Sequence, residues 1–309
     1  MSSSLSKNIL TTLCYYDVLD YSLTSFEIWK YLIQDTRGLE EEKFSLADVI
    51  EELRNKNLGN YIDEYHGFYF LKGQRSLANG RLKKNKISAS KLKRLRRIVW
   101  LLRFVPYVRM IAITGTLAAK NAELSSDWDL LIVLKREKIW IGRTLITVLL
   151  HLIGKRRHGK KIRDRVCLNY FITTNSLEIR TKDLFSANEY HFILALFDAD
   201  SYYRKFQLRN SWIRNFKPNY QLNEISSPRI LADTKISHFI RTLQEKIWGW
   251  DFLERNLGKW EKRKIENNPK TQKPGSIIFA SNDVLIFLPE PQGPKVFEKF
   301  KEKLESVGA

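Results

Sequence analysis

Along the chain, stretches with apolar residues at helical spacing give way to short unbroken apolar runs, and the alternation predicts a mixed helix and strand protein. One helix is predicted over Ser6 to Leu19. Thr24 or Ser25 caps a second, with Phe26, Ile28, Trp29, Leu32 and Ile33 apolar and Glu27 in its first turn. Ser45 caps a third, LADVIEELRNKN, whose Leu46, Val49, Ile50 and Leu53 share a face before it ends near Gly59. YIDEY and FYFLKG, parted by His66-Gly67, read as a hairpin. A helix from Ser88 to Phe104 follows, with Leu92, Leu95, Val99 and Leu102 on one stripe. After Pro106 the strand YVRMIAIT runs into Gly115-Thr116, LAAKNA suits a short helix, and Asp127-Trp128-Asp129 opens the strand LLIVL. A helix ending near Ile153 leads to the strand VCLNYFI. Ala187 to Trp260 is predicted helical, with Phe192, Leu194, Leu196 and Phe197 and then Ile236, Phe239, Ile240, Leu243 and Trp248 as its apolar positions. ENNPKTQKPG is a loop, SIIFA and VLIFL a closing hairpin, and Pro294 to Val307 a final amphipathic helix.

These elements predict an α+β chain in three parts. Residues 1–75 form a unit of three helices and a hairpin that resembles a winged helix. Residues 76–185 hold a basic linker helix and a small sheet, and residues 186–309 a helical region with its closing hairpin and helix.

Charge changes the picture more than composition does. With 309 residues, 43% hydrophobic and 28% charged, the chain has enough apolar sequence for a sizeable core. Its net charge of +19 is unevenly spread. Residues 1–64 hold 6 basic and 12 acidic residues, whereas residues 65–122 hold 14 basic residues and no acid. An anionic partner is therefore expected at the basic regions 81–103 and 155–165, and a nucleic acid fits that description. The predicted third helix carries Asp48, Glu51 and Glu52 and is a poor surface for phosphates, so the N-terminal unit is expected to meet a protein partner. Two cysteines, Cys14 and Cys167, exclude a disulfide framework, and the start MSSSLSKNIL carries no apolar leader. A cytoplasmic protein without a membrane partner is expected. The five histidines show no paired metal spacing, and the aromatics Trp212, Tyr220, Trp248, Trp250 and Trp260 are expected to be core.

The chemistry concentrates at the Gly-Thr turn and the Asp-x-Asp strand. Alternate residues of a strand share a face, so Asp127 and Asp129 can share a cation. Mg²⁺ prefers such hard oxygen ligands and completes its shell with water and substrate phosphate. Gly115 lets backbone approach a phosphate, and the Thr116 hydroxyl adds a donor.

The segment ITGTLAAKNAELSSDWDLLIV resembles the DNA polymerase β-like nucleotidyltransferase superfamily, whose signature is Gly-Ser, a spacer and Asp-x-Asp. FYFLKG, IWIGR, VCLNYFI and NSWIRNFKPN are further similar to a group of bacterial nucleotidyltransferase-domain proteins. The resemblance implies Mg²⁺-dependent transfer of a nucleoside monophosphate from an NTP to an acceptor. It implies metal ligation by Asp127 and Asp129, and triphosphate binding by Gly115 and Thr116, with Lys120 and Arg143 as further phosphate contacts. The superfamily's third carboxylate belongs on the VCLNYFI strand, where Asn169 stands on a face with Cys167 and Phe171. Two ions are implied if another carboxylate, such as Asp164 or Asp183, reaches the site, and one otherwise. The alternative is a non-catalytic nucleotide- or RNA-binding protein with a degenerate core.

Overall fold

A computed structural model describes residues 4–34, 43–54, 58–222 and 230–308. The first unit contains α1 (Ser4–Val18), α2 (Ser25–Lys30), α3 (Leu46–Arg54), β1 (Ile62–Tyr65) and β2 (Phe68–Leu71). Thr24 and Glu27 make a reciprocal capping box at the start of α2, the side chain of each accepting the other's backbone N–H. Ser45 plays the matching role for α3, accepting from the Asp48 N–H at 3.2 Å. β1 and β2 are antiparallel and turn at His66-Gly67, where both residues have positive φ. The end predicted for the third helix, residues 55–57, lies outside the described residues.

α4 (Ser76–Leu102) starts twelve residues before the predicted Ser88. The supposed linker is helical because Ala78 and Arg81 extend the buried face beyond Ser88, and Arg81 reaches the N-terminal unit. Arg81 stacks on Tyr21 and pairs with Glu27 at 2.6 Å, so this cation belongs to the interior and not to an anion-binding surface. Lys91, within the basic region 81–103 expected to meet an anion, is buried and pairs with Asp164 at 2.9 Å. Arg103 is buried too and donates to the Ala232 carbonyl.

The remaining elements are β3 (Val108–Ile113), α5 (Gly115–Ala118), β4 (Trp128–Leu134), α6 (Ile139–Leu152), β5 (Val166–Thr173), α7 (Leu184–His191), β6 (Leu194–Asp198), α8 (Tyr202–Arg209), α9 (Lys235–Ile247), α10 (Asp251–Glu266), β7 (Ile277–Ala280), β8 (Val284–Leu288) and α11 (Gln292–Val307). They build a mixed six-stranded sheet in the order β6-β3-β4-β5-β8-β7. β4 and β5 are parallel, and the other neighbours antiparallel. The sheet is covered on both faces, which explains runs such as LLIVL that lack polar alternation. Trp128, Leu130, Ile132 and Leu134 enter one core layer, and Leu131 and Val133 the other. The fold is thus α+β, a multistranded sheet flanked by helices.

Two predicted features change. Leu194 to Phe197 is an edge strand, not helix, because the free side of β3 pairs with it through Met110↔Asp198 and Ile111↔Phe197. Trp248, Trp250 and Trp260, predicted as core, are exposed, as are the apolar positions Ile236, Phe239 and Leu243. α9 is held to the body by its polar side instead: buried Arg241 pairs with Asp233 at 2.6 Å and donates to the Arg103 carbonyl.

The N-terminal unit is fastened beside the Gly-Thr turn. Tyr21 Oη donates to the Ala119 carbonyl at 3.0 Å, and Asn121 Nδ2 to the Leu19 carbonyl at 2.8 Å. Phe300 of α11 completes the core of this unit.

Candidate functional site

β3 and β4 run side by side, so the end of β3 and the start of β4 meet at one edge of the sheet, where the Thr114 N–H donates to the Asp129 carbonyl at 3.1 Å. Gly115 follows with φ +64°, and a Cβ built there would lie 2.8 Å from Asp129 Oδ2. Glycine is required twice over, by its backbone conformation and by the closeness of the carboxylate. The turn and the acidic pair are therefore one structure, though twelve residues lie between Thr114 and Asp127.

Parallel pairing with β5 sets Asp129 opposite Cys167. The ligand atoms of Asp127, Asp129 and Cys167 lie within 4.8 Å of one another, the one such group of three among the described residues. The next register point is Leu131↔Tyr170, so β5 spends three residues where β4 spends two. This bulge carries Asn169 to Asp129, with Nδ2 donating to Oδ1 at 3.0 Å. Cys167 and Asn169 share the Asp129 side as predicted, but Phe171 packs in the opposite core layer, because one extra residue reverses the parity.

The group opens on a cleft of about 2210 Å³ between the sheet, α1, α7 and α11. Gly115, Thr116, Asp127, Asp129, Asn169 and Arg143 line it, and Lys120, at the far end of α5 with φ +56°, does not. Arg143 is already matched: it pairs with Glu261 of α10 and lies over the Phe287 ring. Burial lowers its pKa to about 10, with Arg156 adding to the effect. Asp164, one of the two acids considered as a further ligand, is turned away to Lys91 and Arg94; burial pushes its pKa up, but these two cations outweigh it and hold the carboxyl below its ordinary value. Asp183, the other, lines the cleft but caps α7 by accepting the Ser186 N–H at 2.7 Å.

Two further residues complete the site: Arg157, from the basic region 155–165 expected to meet an anion, and Glu189, which the sequence pattern did not single out. Arg157, from the basic connection after α6, donates to Asp127 Oδ2 at 2.5 Å and to Cys167 Sγ at 3.5 Å. It covers the acidic pair with a cation of the protein's own. Glu189 of α7 lines the cleft, hydrogen bonds with Thr114 and acts electrostatically on Asp129 while standing outside the 4.8 Å group. Burial pushes its carboxyl up to about 7. Asp129 is likewise raised, by burial first and then by Asp127 and Glu189, with Arg157 opposing. Neither residue has a sequence signature, since a basic loop and an acid on a helix are commonplace.

The donor set suits a hard divalent cation. Asn169 Oδ1 is buried and has no hydrogen-bond partner, and it sits beside two carboxylates. Burial pushes the Cys167 thiol up to about 12, so at neutral pH it offers a protonated sulfur, a poor ligand for Mg²⁺. Comparison with protein-family models, with curated proteins and with solved structures finds no match to the chain.

Proposed function

We propose that the protein is a Mg²⁺-dependent nucleotidyltransferase that moves a nucleoside monophosphate from an NTP to an acceptor. The observation that carries this reading is the close contact between the Gly115 turn and the Asp129 carboxylate. A phosphate seated against the glycine backbone would lie beside the only described cluster able to hold its metal. Asp127, Asp129 and Asn169 Oδ1 would hold Mg²⁺, whose charge offsets that of the triphosphate. Gly115 and the Thr116 hydroxyl would bind the tail, and Arg157 would exchange Asp127 for a phosphate oxygen. Glu189, poised near neutrality, is the group suited to accept a proton from the acceptor hydroxyl.

Within this reading the N-terminal unit is winged-helix-like, and the exposed bases Lys83, Lys86, Lys93, Arg96 and Arg97 on α4 favour a nucleic-acid acceptor. The neutral Asn169 favours a second reading, a nucleotide-binding protein that does not turn its ligand over.

The test is thermal stability with each NTP, with and without Mg²⁺, for the wild type and for Asp127→Asn and Asp129→Asn, followed by transfer from labelled NTP. A Mg²⁺-dependent shift lost in both variants, with label transferred, supports the enzyme. A shift without transfer to RNA, DNA or protein supports the binding protein. No shift with any NTP overturns both.

A further inference from the structure

The C-terminal helices present a surface that the nucleotide site does not use. On α9, Ile236, Phe239, Leu243 and Ile247 form one stripe, each exposed by between 49% and 68%. Trp248, Trp250 and Phe252 continue it through the turn into α10, and Trp260 extends it two turns further. Apolar side chains in such number and contiguity mark a contact surface.

The charges sort by side. Every acid between Lys235 and Lys264 is matched by a group of the protein's body. Glu245 accepts from Arg109 at 2.8 and 3.0 Å, Asp251 pairs with Lys138 at 2.7 Å, Glu254 accepts the Trp140 and Ile141 N–H groups, and Glu261 accepts from Thr144 at 2.6 Å. The exposed bases Lys235, Lys246, Arg255, Lys259, Arg263 and Lys264 surround the apolar stripe. By helical spacing, Arg255, Lys259 and Arg263 share a face of α10 with Phe252 and Trp260.

We propose that this face binds an anionic lipid surface. Its aliphatic and aromatic side chains would enter the boundary between headgroups and acyl chains while the ammonium and guanidinium groups meet the headgroups. Charge argues for this occupant over a second copy, since each chain carries +19. The aliphatic members argue for it over RNA, because bases stack on Trp250 or Trp260 but offer nothing to Ile236, Leu243 and Ile247. No described helix is long and apolar enough to cross a membrane, so the contact is with the surface. The sequence reading expected no membrane partner, so this proposal departs from it, and the inference stands apart from the nucleotide reading.

The experiment is flotation of the full-length protein with phosphatidylcholine vesicles and with mixed phosphatidylglycerol–phosphatidylcholine vesicles. It is run for the wild type, Phe239→Ser/Trp250→Ser and Lys259→Glu/Arg263→Glu, with melting temperatures and light scattering in parallel. Both apolar positions are more than 60% exposed, so the melting temperature is expected to hold. Binding to the anionic vesicles by the wild type, about tenfold or more tighter than to neutral ones, and lost or weakened about tenfold in both variants, supports the proposal. Binding that survives Phe239→Ser/Trp250→Ser overturns it, because the general positive charge would then suffice. Absence of flotation also overturns it. So does a wild-type dimer that the apolar variant dissociates, or RNA binding that needs Trp250 in a protein that ignores vesicles.

Discussion

Replacing Gly115 with alanine separates the two demands that the site makes on this residue. At φ +64° an alanine costs about 1 kcal/mol in backbone conformation alone. The added methyl would also stand 2.8 Å from Asp129 Oδ2, and Asp129 is tied to Asn169 at 3.0 Å, so the carboxylate must shift or the turn must open. Crowding of that kind costs about 1–3 kcal/mol. Gly73 supplies the control: its φ is +81° and nothing lies within 4 Å of a built Cβ. Urea unfolding should therefore show Gly73→Ala losing about 1 kcal/mol and Gly115→Ala about 2–4 kcal/mol. With MgATP at about a hundred times its dissociation constant, the wild type and Gly73→Ala should gain about 2.7 kcal/mol, and Gly115→Ala much less. Equal losses in the two variants with the same gain from MgATP would refute the claim that the turn and Asp129 form one site.

Glu189 makes stability depend on pH. Its carboxyl is raised from 4.5 to about 7, so the stability it contributes is complete below its ordinary range and is lost as pH rises through about 7. Glu189→Gln should exceed the wild type at pH 8 by up to about 3 kcal/mol and match it only near pH 4; an equal gap at both would exclude titration as the cause. Arg157→Ala should bind Mn²⁺ or Mg²⁺ about two- to fivefold more tightly without nucleotide, by calorimetry, because the ion no longer displaces the guanidinium from Asp127. A weaker ion affinity would show that Arg157 builds the site instead of covering it. Lys217 is fully buried against Tyr16 and Tyr31, and burial holds its pKa well below 10.5. The folded state thus favours the neutral amine, and the wild type should gain stability as pH rises from 7 toward 10. Lys217→Met leaves Tyr16 Oη donating to Asn188 Oδ1 at 2.6 Å and should be more stable than the wild type by about 1–3 kcal/mol at pH 7, with the gap closing at pH 10. A less stable Lys217→Met at pH 7 would mean that the hydrogen bonds from Nζ to Tyr16 Oη and Asn188 Oδ1, each 2.7 Å, outweigh the cost of burying the amine.

The sequence by itself determined whatever depends on near neighbours along the chain. The Thr24 and Ser45 caps, the hairpin at His66-Gly67 and the strands beside Gly115 and Asp127 all follow from local backbone preference and periodicity. Tertiary structure decided what depends on pairing across distance. Leu194 to Phe197 is a strand because β3 had an edge to fill. Asn169 stands on the Cys167 face, as alternation indicates, but Phe171 leaves that face through a bulge that no alternation within VCLNYFI reveals. Arg81 and Lys91 look like surface charge until Glu27 and Asp164 arrive from 54 and 73 residues away. The same holds for the apolar stripe of α9, since helical spacing shows that a face exists but not which face the body of the protein covers. Glu189 reaches Thr114 and the neighbourhood of Asp129 only through the packing of α7 against the sheet. Burial and long-range pairing set the charge states of this cleft, and neither is written in the spacing of residues along one segment.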